Sequence, residues 1–181
     1  MKRADRLLQS WRIRAAAPYV PAGATVLDVG CDDGALFRAL KDRISFGIGI
    51  DTRAVPRDYG PFRFIRGLAP ASLPRDTTFD AITMLAVLEH IAPDSQRGLA
   101  SACAALLRTG GRVICTVPSP RADHIIDAGM RLHVLDGMTA HEHYGFDPSD
   151  AVRLFTDCGL VLRRLRRFQL GLNNLYVFAK T

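Results

Sequence analysis

The stretch VLDVGCDDGALF, Val26 to Phe37, decides the reading of this chain. An apolar run rich in β-branched residues stops at a glycine and resumes with helical spacing. A strand entering a helix through a glycine turn commonly cradles a nucleotide, whose phosphates rest on the free N–H groups of the helix N-terminus. Here Asp32 and Asp33 stand where those phosphates would lie. Two carboxylates repel a diphosphate, and the spacing is not G-x-G-x-x-G. A ligand with an ammonium and a sulfonium, and no phosphate, meets no such penalty. Asp51 ends the next apolar run, SFGIGID, in the place where a carboxylate accepts hydrogen bonds from both ribose hydroxyls. The turn reads as a site for a nucleoside without phosphates.

Outward from this stretch, strand and helix signals alternate without repeats or low-complexity segments. Residues 3–17 have helical spacing, with Leu7, Leu8, Trp11 and Ala15 expected on one face. TVLDVG is read as a strand, ALFRALKDR as a helix, SFGIGID and FRFIRG as the next strands. FDAITMLAVLEHI starts as a fourth strand and turns irregular near Leu85. A helix through DSQRGLASACAALLR is expected to close on Thr109-Gly110-Gly111, and RVICTVP is a fifth strand. Asp147-Pro148 is read as a helix N-cap followed by proline at the first helical position, with that helix ending at Gly159. LVLRRLRRF and LNNLYVFAK close the chain as an antiparallel pair turning around Gly171. The expectation is one α/β domain over 1–181: a Rossmann-like, seven-stranded, mostly parallel sheet with helices on both faces. Residues 1–20 form a helical cover. In such a sheet the ligand lies outside the C-terminal strand ends, where the strand order reverses.

Composition bounds the function. The chain has 181 residues, 48% hydrophobic and 23% charged, which suits one globular domain with a proper core. No apolar run is long enough to suggest a membrane span, and the arginine-bearing N-terminus does not read as a secretory signal. Cys31, Cys103, Cys115 and Cys158 lack metal-ligand spacing and suit free thiols in a reducing compartment, so a cytoplasmic enzyme is expected. The net charge of +6 comes almost wholly from arginine, concentrated at the N-terminus and in Arg163–Arg167. An anionic partner, nucleic acid included, is compatible with it. The favoured reading is plainer: arginines lining the solvent side of an amphipathic strand, with no aromatics interleaved.

VLDVGCDDG, then GIGID, FDAITMLAVLEHI and LLRTGGRVICTVP, together resemble the class I S-adenosylmethionine-dependent methyltransferases in order and spacing over residues 24–118. The resemblance implies S-adenosylmethionine as cofactor. It places Asp28 near the cofactor's amino group and the loop Gly30, Cys31, Asp32 and Gly34 around its methionine end. Asp51 becomes the ribose acid, with Thr52 beside the adenine. Gly67 and Leu68 match an adenine-binding position where the family often carries an acid, and Leu85 and Ala86 flank the methionine portion. Asp32 replaces the family's middle glycine. Quinone-pathway O-methyltransferases of the family read Glu-x-x-Glu-His where this chain reads Ala86-Val87-Leu88-Glu89-His90, and there the acids help hold a metal. With Ala86 in the first place, no metal is expected.

Missing motifs narrow the acceptor. The Asn/Asp-Pro-Pro-aromatic run of amino-directed base methyltransferases is replaced by MLAV, Cys115 sits inside a strand, and no glutamate follows Lys180 to complete a ribose-methylating tetrad. Nucleic acid is disfavoured, and a small-molecule acceptor, with an anionic one compatible with the charge, is expected. Residues 119–146, where the family inserts substrate lids, hold His124, His133, His141 and His143. A histidine near neutral pH suits removal of a hydroxyl proton during an in-line methyl transfer. His141, His143, Tyr144 and His90 are the candidates, against the plainer reading of a solvated His-x-His loop. The N-terminal helix is read as an ordinary sheet cover in preference to one whose Trp11, Arg12, Arg14 and Tyr19 close over the cofactor mouth. Methyl transfer to oxygen of a small acceptor is the leading function. An RNA or ribonucleoprotein methyltransferase and a non-catalytic sensor of the same fold are the rivals, with a dinucleotide oxidoreductase behind them.

Overall fold

The computed structural model describes residues 3–119 and 147–181. Its eight strands are β1 (Ala24–Val29), β2 (Ile44–Asp51), β3 (Arg57–Tyr59), β4 (Phe62–Arg66), β5 (Phe79–Leu85), β6 (Leu107–Pro118), β7 (Leu160–Phe168) and β8 (Asn173–Lys180). They form one sheet in the order β3-β4-β2-β1-β5-β6-β8-β7. The pairs β1–β2, β2–β4, β1–β5 and β5–β6 are parallel. β7 and β8 form the antiparallel pair the sequence predicts, and β8 lies between β6 and β7, antiparallel to both. β3 is the strand beyond the expected seven: its three exposed residues pair antiparallel with β4 at the sheet edge, too short and polar to carry a strand pattern.

Chain order reverses at β1, which sends β2 to one side and finds β5 on the other. That crevice is where an α/β sheet of this kind takes its ligand. Helices α1 (Arg3–Ala16) and α2 (Ala35–Ala39) cover one face, packing Ile13, Ala16, Leu36 and Phe37 against Val26, Ala81, Ile114 and Leu175. Helices α3 (Pro93–Leu106) and α4 (Asp150–Thr156) cover the other, with Leu99, Cys103, Ala151 and Phe155 against Leu27, Ile82, Val113 and Phe178. Among the described residues no helix is long and apolar enough to cross a membrane.

Several local expectations change, each for a physical reason. α1 forms where predicted, but Leu7 is 70% and Trp11 47% exposed, while Ile13, Ala15 and Ala16 are buried. The inward row is Leu8, Arg12 and Ala16, one helical turn apart. α2 stops at Ala39 because a turn through Leu40–Arg43 feeds β2 directly. α3 ends at Leu106 without a glycine cap, since the Lys180 ammonium donates to the terminal carbonyls of Ala104 and Leu107, at 2.8 and 2.9 Å. Gly110 instead takes a φ of +78° where β6 loops out, between the pairs Phe79–Leu107 and Ala81–Arg112. Asp147 does not cap α4. Its carboxylate accepts from the Ser149 N–H and hydroxyl, both at 2.8 Å, and α4 begins at Asp150. β7 is exposed on both sides from Arg163 to Arg167, Leu165 included, so its arginines do not line a single solvent face.

The turn into α2 depends on two glycines. Gly30 leaves β1 at φ +76°, and Gly34 enters α2 at φ +81° with the Phe64 ring 2.6 Å from where a Cβ would stand. Phe64 is itself wedged edge-on against Phe37, which stacks on Phe62 at 4.8 Å. Gly34→Ala should therefore destabilise the fold by about 1–3 kcal/mol through clash and backbone strain. Chemical denaturation measures this, and an unchanged midpoint contradicts the packing described.

Candidate functional site

The C-terminal edge of the sheet around β1 gathers the loops that the sequence singles out. The Gly30 and Cys31 N–H groups donate to the Ile50 carbonyl, at 2.8 and 3.2 Å, pinning the glycine loop to the end of β2. Asp51 then collects three segments. Its carboxylate accepts the Asp32 N–H at 3.0 Å and the Arg53 N–H at 2.8 Å, one on each oxygen. Its carbonyl accepts the Gly67 N–H at 3.1 Å. A carboxylate oxygen has two lone pairs, so each oxygen keeps one for a ligand hydroxyl.

The paired carboxylates of the loop separate. Asp33 turns toward α2, where Oδ1 accepts the Ala35 N–H at 3.0 Å and Oδ2 meets Arg38 at 2.6 Å. Asp32, at φ +44°, lies 3.4 Å from Arg53. Asp33 thus serves the helix start, and Asp32 remains beside Asp51. Cys31 contributes backbone only. Its side chain is buried against Gly49, and burial raises its thiol pKa, so it is no nucleophile.

Asp28 is 4% exposed on the crevice strand. The Thr83 hydroxyl on the facing strand β5 donates to its Oδ1 at 2.7 Å. Burial pushes its pKa up to about 7, the Thr83 bond opposes this, and the Asp51 charge adds to it. Thr83 was not a sequence candidate, although a lone threonine in an otherwise apolar run is the signal that finds it.

Leu85 and Ala86 stand on the next strand end. Ala86 has φ +60°, a strained value for a residue with a side chain, and donates to the Thr116 carbonyl at 3.0 Å. Val87 then folds over the glycine loop, its Cγ2 2.3 Å from a Cβ built on Gly30. His90 is half-buried at the end of the short turn Leu88–His90 that follows. On the other side, Gly67 packs on Ser72, whose hydroxyl accepts the Leu68 N–H at 3.2 Å. The Leu68 side chain is exposed, and so is Thr52. His141, His143 and Tyr144, with the rest of 120–146, lie outside the described residues.

α1 reaches this edge. The Gln9 amide lies 3.5 Å from Asp33, and the Leu8 carbonyl accepts from Gln169 at 3.1 Å. Arg12 points inward: burial holds its guanidinium below its usual pKa, while the charges of Glu89 and Asp5 act the other way. Glu89 is 2% exposed. Of the four residues considered as a closing group, Arg12 turns in, Trp11 and Arg14 are exposed, and Tyr19 is half-buried.

A family model described as a methyltransferase domain matches residues 2–165. The chain belongs to this methyltransferase family. Its fold is that of the class I S-adenosylmethionine-dependent enzymes. It is 31% identical over 160 residues to a ubiquinone biosynthesis O-methyltransferase of Leptothrix cholodnii, covering 80% of this chain and 67% of that one. A protein of the same name from Acinetobacter baumannii is 26% identical over 159 residues, covering 80% and 66%. The chain thus spans about two thirds of the length of these relatives. Among solved structures, the 1,6-didemethyltoxoflavin-N1-methyltransferase of Burkholderia thailandensis superposes with a TM-score of 0.70 at 19% identity, covering 94% of this chain and 76% of that one. A TehB-like methyltransferase from Corynebacterium glutamicum gives 0.67 at 19%, covering 94% and 87%.

The Asp28 environment has a consequence for folding. An unfolded aspartate titrates near 4, and the folded Asp28 near 7. Between these values the folded state binds the extra proton, so this group's contribution falls as pH rises from about 4 to 7 and is flat beyond. Asp28→Asn keeps an acceptor for Thr83 and never ionises. It should raise stability at pH 8 by about 1–3 kcal/mol and leave it little changed at pH 4. Denaturation at the two pH values checks this, and equal effects at both would contradict it.

Proposed function

We propose that the chain transfers a methyl group from S-adenosylmethionine to a hydroxyl oxygen of a small-molecule acceptor. The observation that carries this is Asp51: a carboxylate held by one backbone N–H on each oxygen, with a lone pair on each still available. That arrangement fits the two hydroxyls of a ribose. Asp32, beside it and 3.4 Å from Arg53, adds a second carboxylate where a diphosphate would lie.

The other residues fit the same ligand. Asp28, once ionised, faces the cofactor's ammonium from the floor of the crevice. The loop from Gly30 to Gly34 and the pair Leu85–Ala86 enclose its methionine portion. Gly67, Leu68 and Thr52 border the adenine, with Leu68 offering an apolar side chain where an acid is common in the family. When bound, the cofactor supplies an electrophilic methyl on sulfur. The protein's part is alignment, exclusion of water under α1, and removal of the acceptor's proton. His90 is the described candidate for that proton. His141, His143 and Tyr144, in the lid segment 119–146, are the further candidates. The names of the curated relatives support oxygen as the acceptor atom. Free thiols at Cys31, Cys103, Cys115 and Cys158 support a cytoplasmic setting. The exposed arginines of β7 favour an RNA acceptor, but β7 lies at the sheet edge, four places from β1.

Calorimetric titration with S-adenosylmethionine tests the assignment. Asp51→Ala removes two charge-assisted hydrogen bonds, each about 1.5–3 kcal/mol, and should weaken binding at least tenfold. In the unaltered protein affinity should rise as pH increases through 7 and then level off, because the ammonium needs Asp28 ionised. An Asp51→Ala protein that binds as tightly as the parent would refute the ribose assignment.

A further inference from the structure

Among the described residues, Thr116 Oγ1, Ser119 Oγ and Asn173 Oδ1 are buried at one end of the sheet with no hydrogen-bond partner. All belong to the adjoining ends of β6 and β8. Pro118 pairs with Asn173, the Ser119 N–H donates to the Leu172 carbonyl at 2.9 Å, and Thr116 pairs with Leu85 of β5. Thr116 and Asn173 share the sheet face that α1 covers, since Thr116 pairs with Leu175 and Asn173 with Phe168, both in the core beneath α1.

The polarity of Asn173 is fixed by a relay. The Gln169 Nε2 donates to the Leu8 carbonyl of α1 at 3.1 Å, so Gln169 turns its oxygen the other way. That oxygen accepts from Asn173 Nδ2 at 2.8 Å. Asn173, 4% exposed, therefore presents its carbonyl oxygen with no donor to meet it. Leaving such a group unpaired forfeits its hydrogen bonds to water without replacement. Gln169 adds to the cost by sitting at φ +52°.

Adjacent strands lie about 4.8 Å apart and rise about 3.3 Å per residue, so Pro118 and Asn173, two residues past the Leu85–Thr116 register, lie roughly 8–12 Å from the end of β5. That is the span of one substituted aromatic ring, measured from Leu85–Ala86, where the proposed site delivers its methyl. We infer that Asn173, with Thr116 on the same face of the sheet, forms a specificity subsite that accepts a hydrogen bond from a second hydroxyl on the methyl acceptor. The acceptor class is a small molecule with two hydroxyls about a ring's width apart, one methylated and one read by Asn173. This rests on the methyl-transfer reading above.

The test compares two probes of nearly equal shape, 4-(hydroxymethyl)phenol and 4-ethylphenol, in methyl-transfer assays. The unaltered protein should prefer the diol at least tenfold in kcat/KM. Asn173→Leu should bring the two within about twofold, with the loss falling on KM for the diol and S-adenosylhomocysteine affinity unchanged. Gln169→Leu, which lets the Asn173 amide turn, should lose part of the preference. A protein that binds S-adenosylhomocysteine but turns over neither probe, or both equally, contradicts the subsite, as does an Asn173→Leu variant that keeps the preference. Failure to bind S-adenosylhomocysteine would instead remove the cofactor reading beneath it.

Discussion

One carboxylate organises the site. Asp51 accepts the Asp32 N–H from the glycine loop, the Arg53 N–H from its own turn and, through its carbonyl, the Gly67 N–H from the end of β4. The glycine loop, the turn after β2 and the end of β4 are thereby fixed around one residue. Backbone donors hold the carboxylate in place before any ligand arrives, and preorganisation of this sort lowers the entropy lost on binding. The strand order makes it possible, because β2 and β4 lie on the same side of the reversal at β1 and their C-terminal ends are neighbours.

The charges around this carboxylate explain how a loop with two aspartates is tolerated. Asp33 is neutralised by Arg38 and works as a helix-entry acceptor, an ordinary structural duty. Asp28 is buried, and its raised pKa keeps much of its charge suppressed until a cation arrives. Asp32 and Asp51 remain as the partly exposed pair. The crevice is therefore acidic where a cationic, phosphate-free nucleoside would lie. Farther along the same edge of the sheet, Asn173 is a buried, uncharged side chain able to hydrogen-bond.

The sequence made the sheet legible because its central strands are buried on both faces and read as unbroken apolar runs bounded by glycine. Gly30, Gly34 and Asp51 stand out for the same reason, as flexible or polar residues at the ends of such runs, whereas Asp28, inside β1, is singled out only by the family resemblance. What escaped was set by tertiary contact. The α3 terminus uses Lys180, 74 positions past Leu106, and no local pattern announces it. The three-residue edge strand β3 is too short to show periodicity. The inward row of α1 carries Arg12, so a hydrophobic count chose Leu7 and Trp11 instead. The Gln169–Asn173 relay joins a turn to a strand start through side chains, and sequence spacing says nothing of their orientation.

The proposed cofactor site at Asp51 would take an adenosine ligand that carries positive charge and no phosphate. Titrating the protein in parallel with S-adenosylhomocysteine and ADP, which share adenosine and differ in what extends from it, tests that claim directly. S-adenosylhomocysteine should bind with micromolar affinity, about −8 kcal/mol, and ADP at least a hundredfold more weakly. Equal affinities, or tighter binding of ADP, would contradict it.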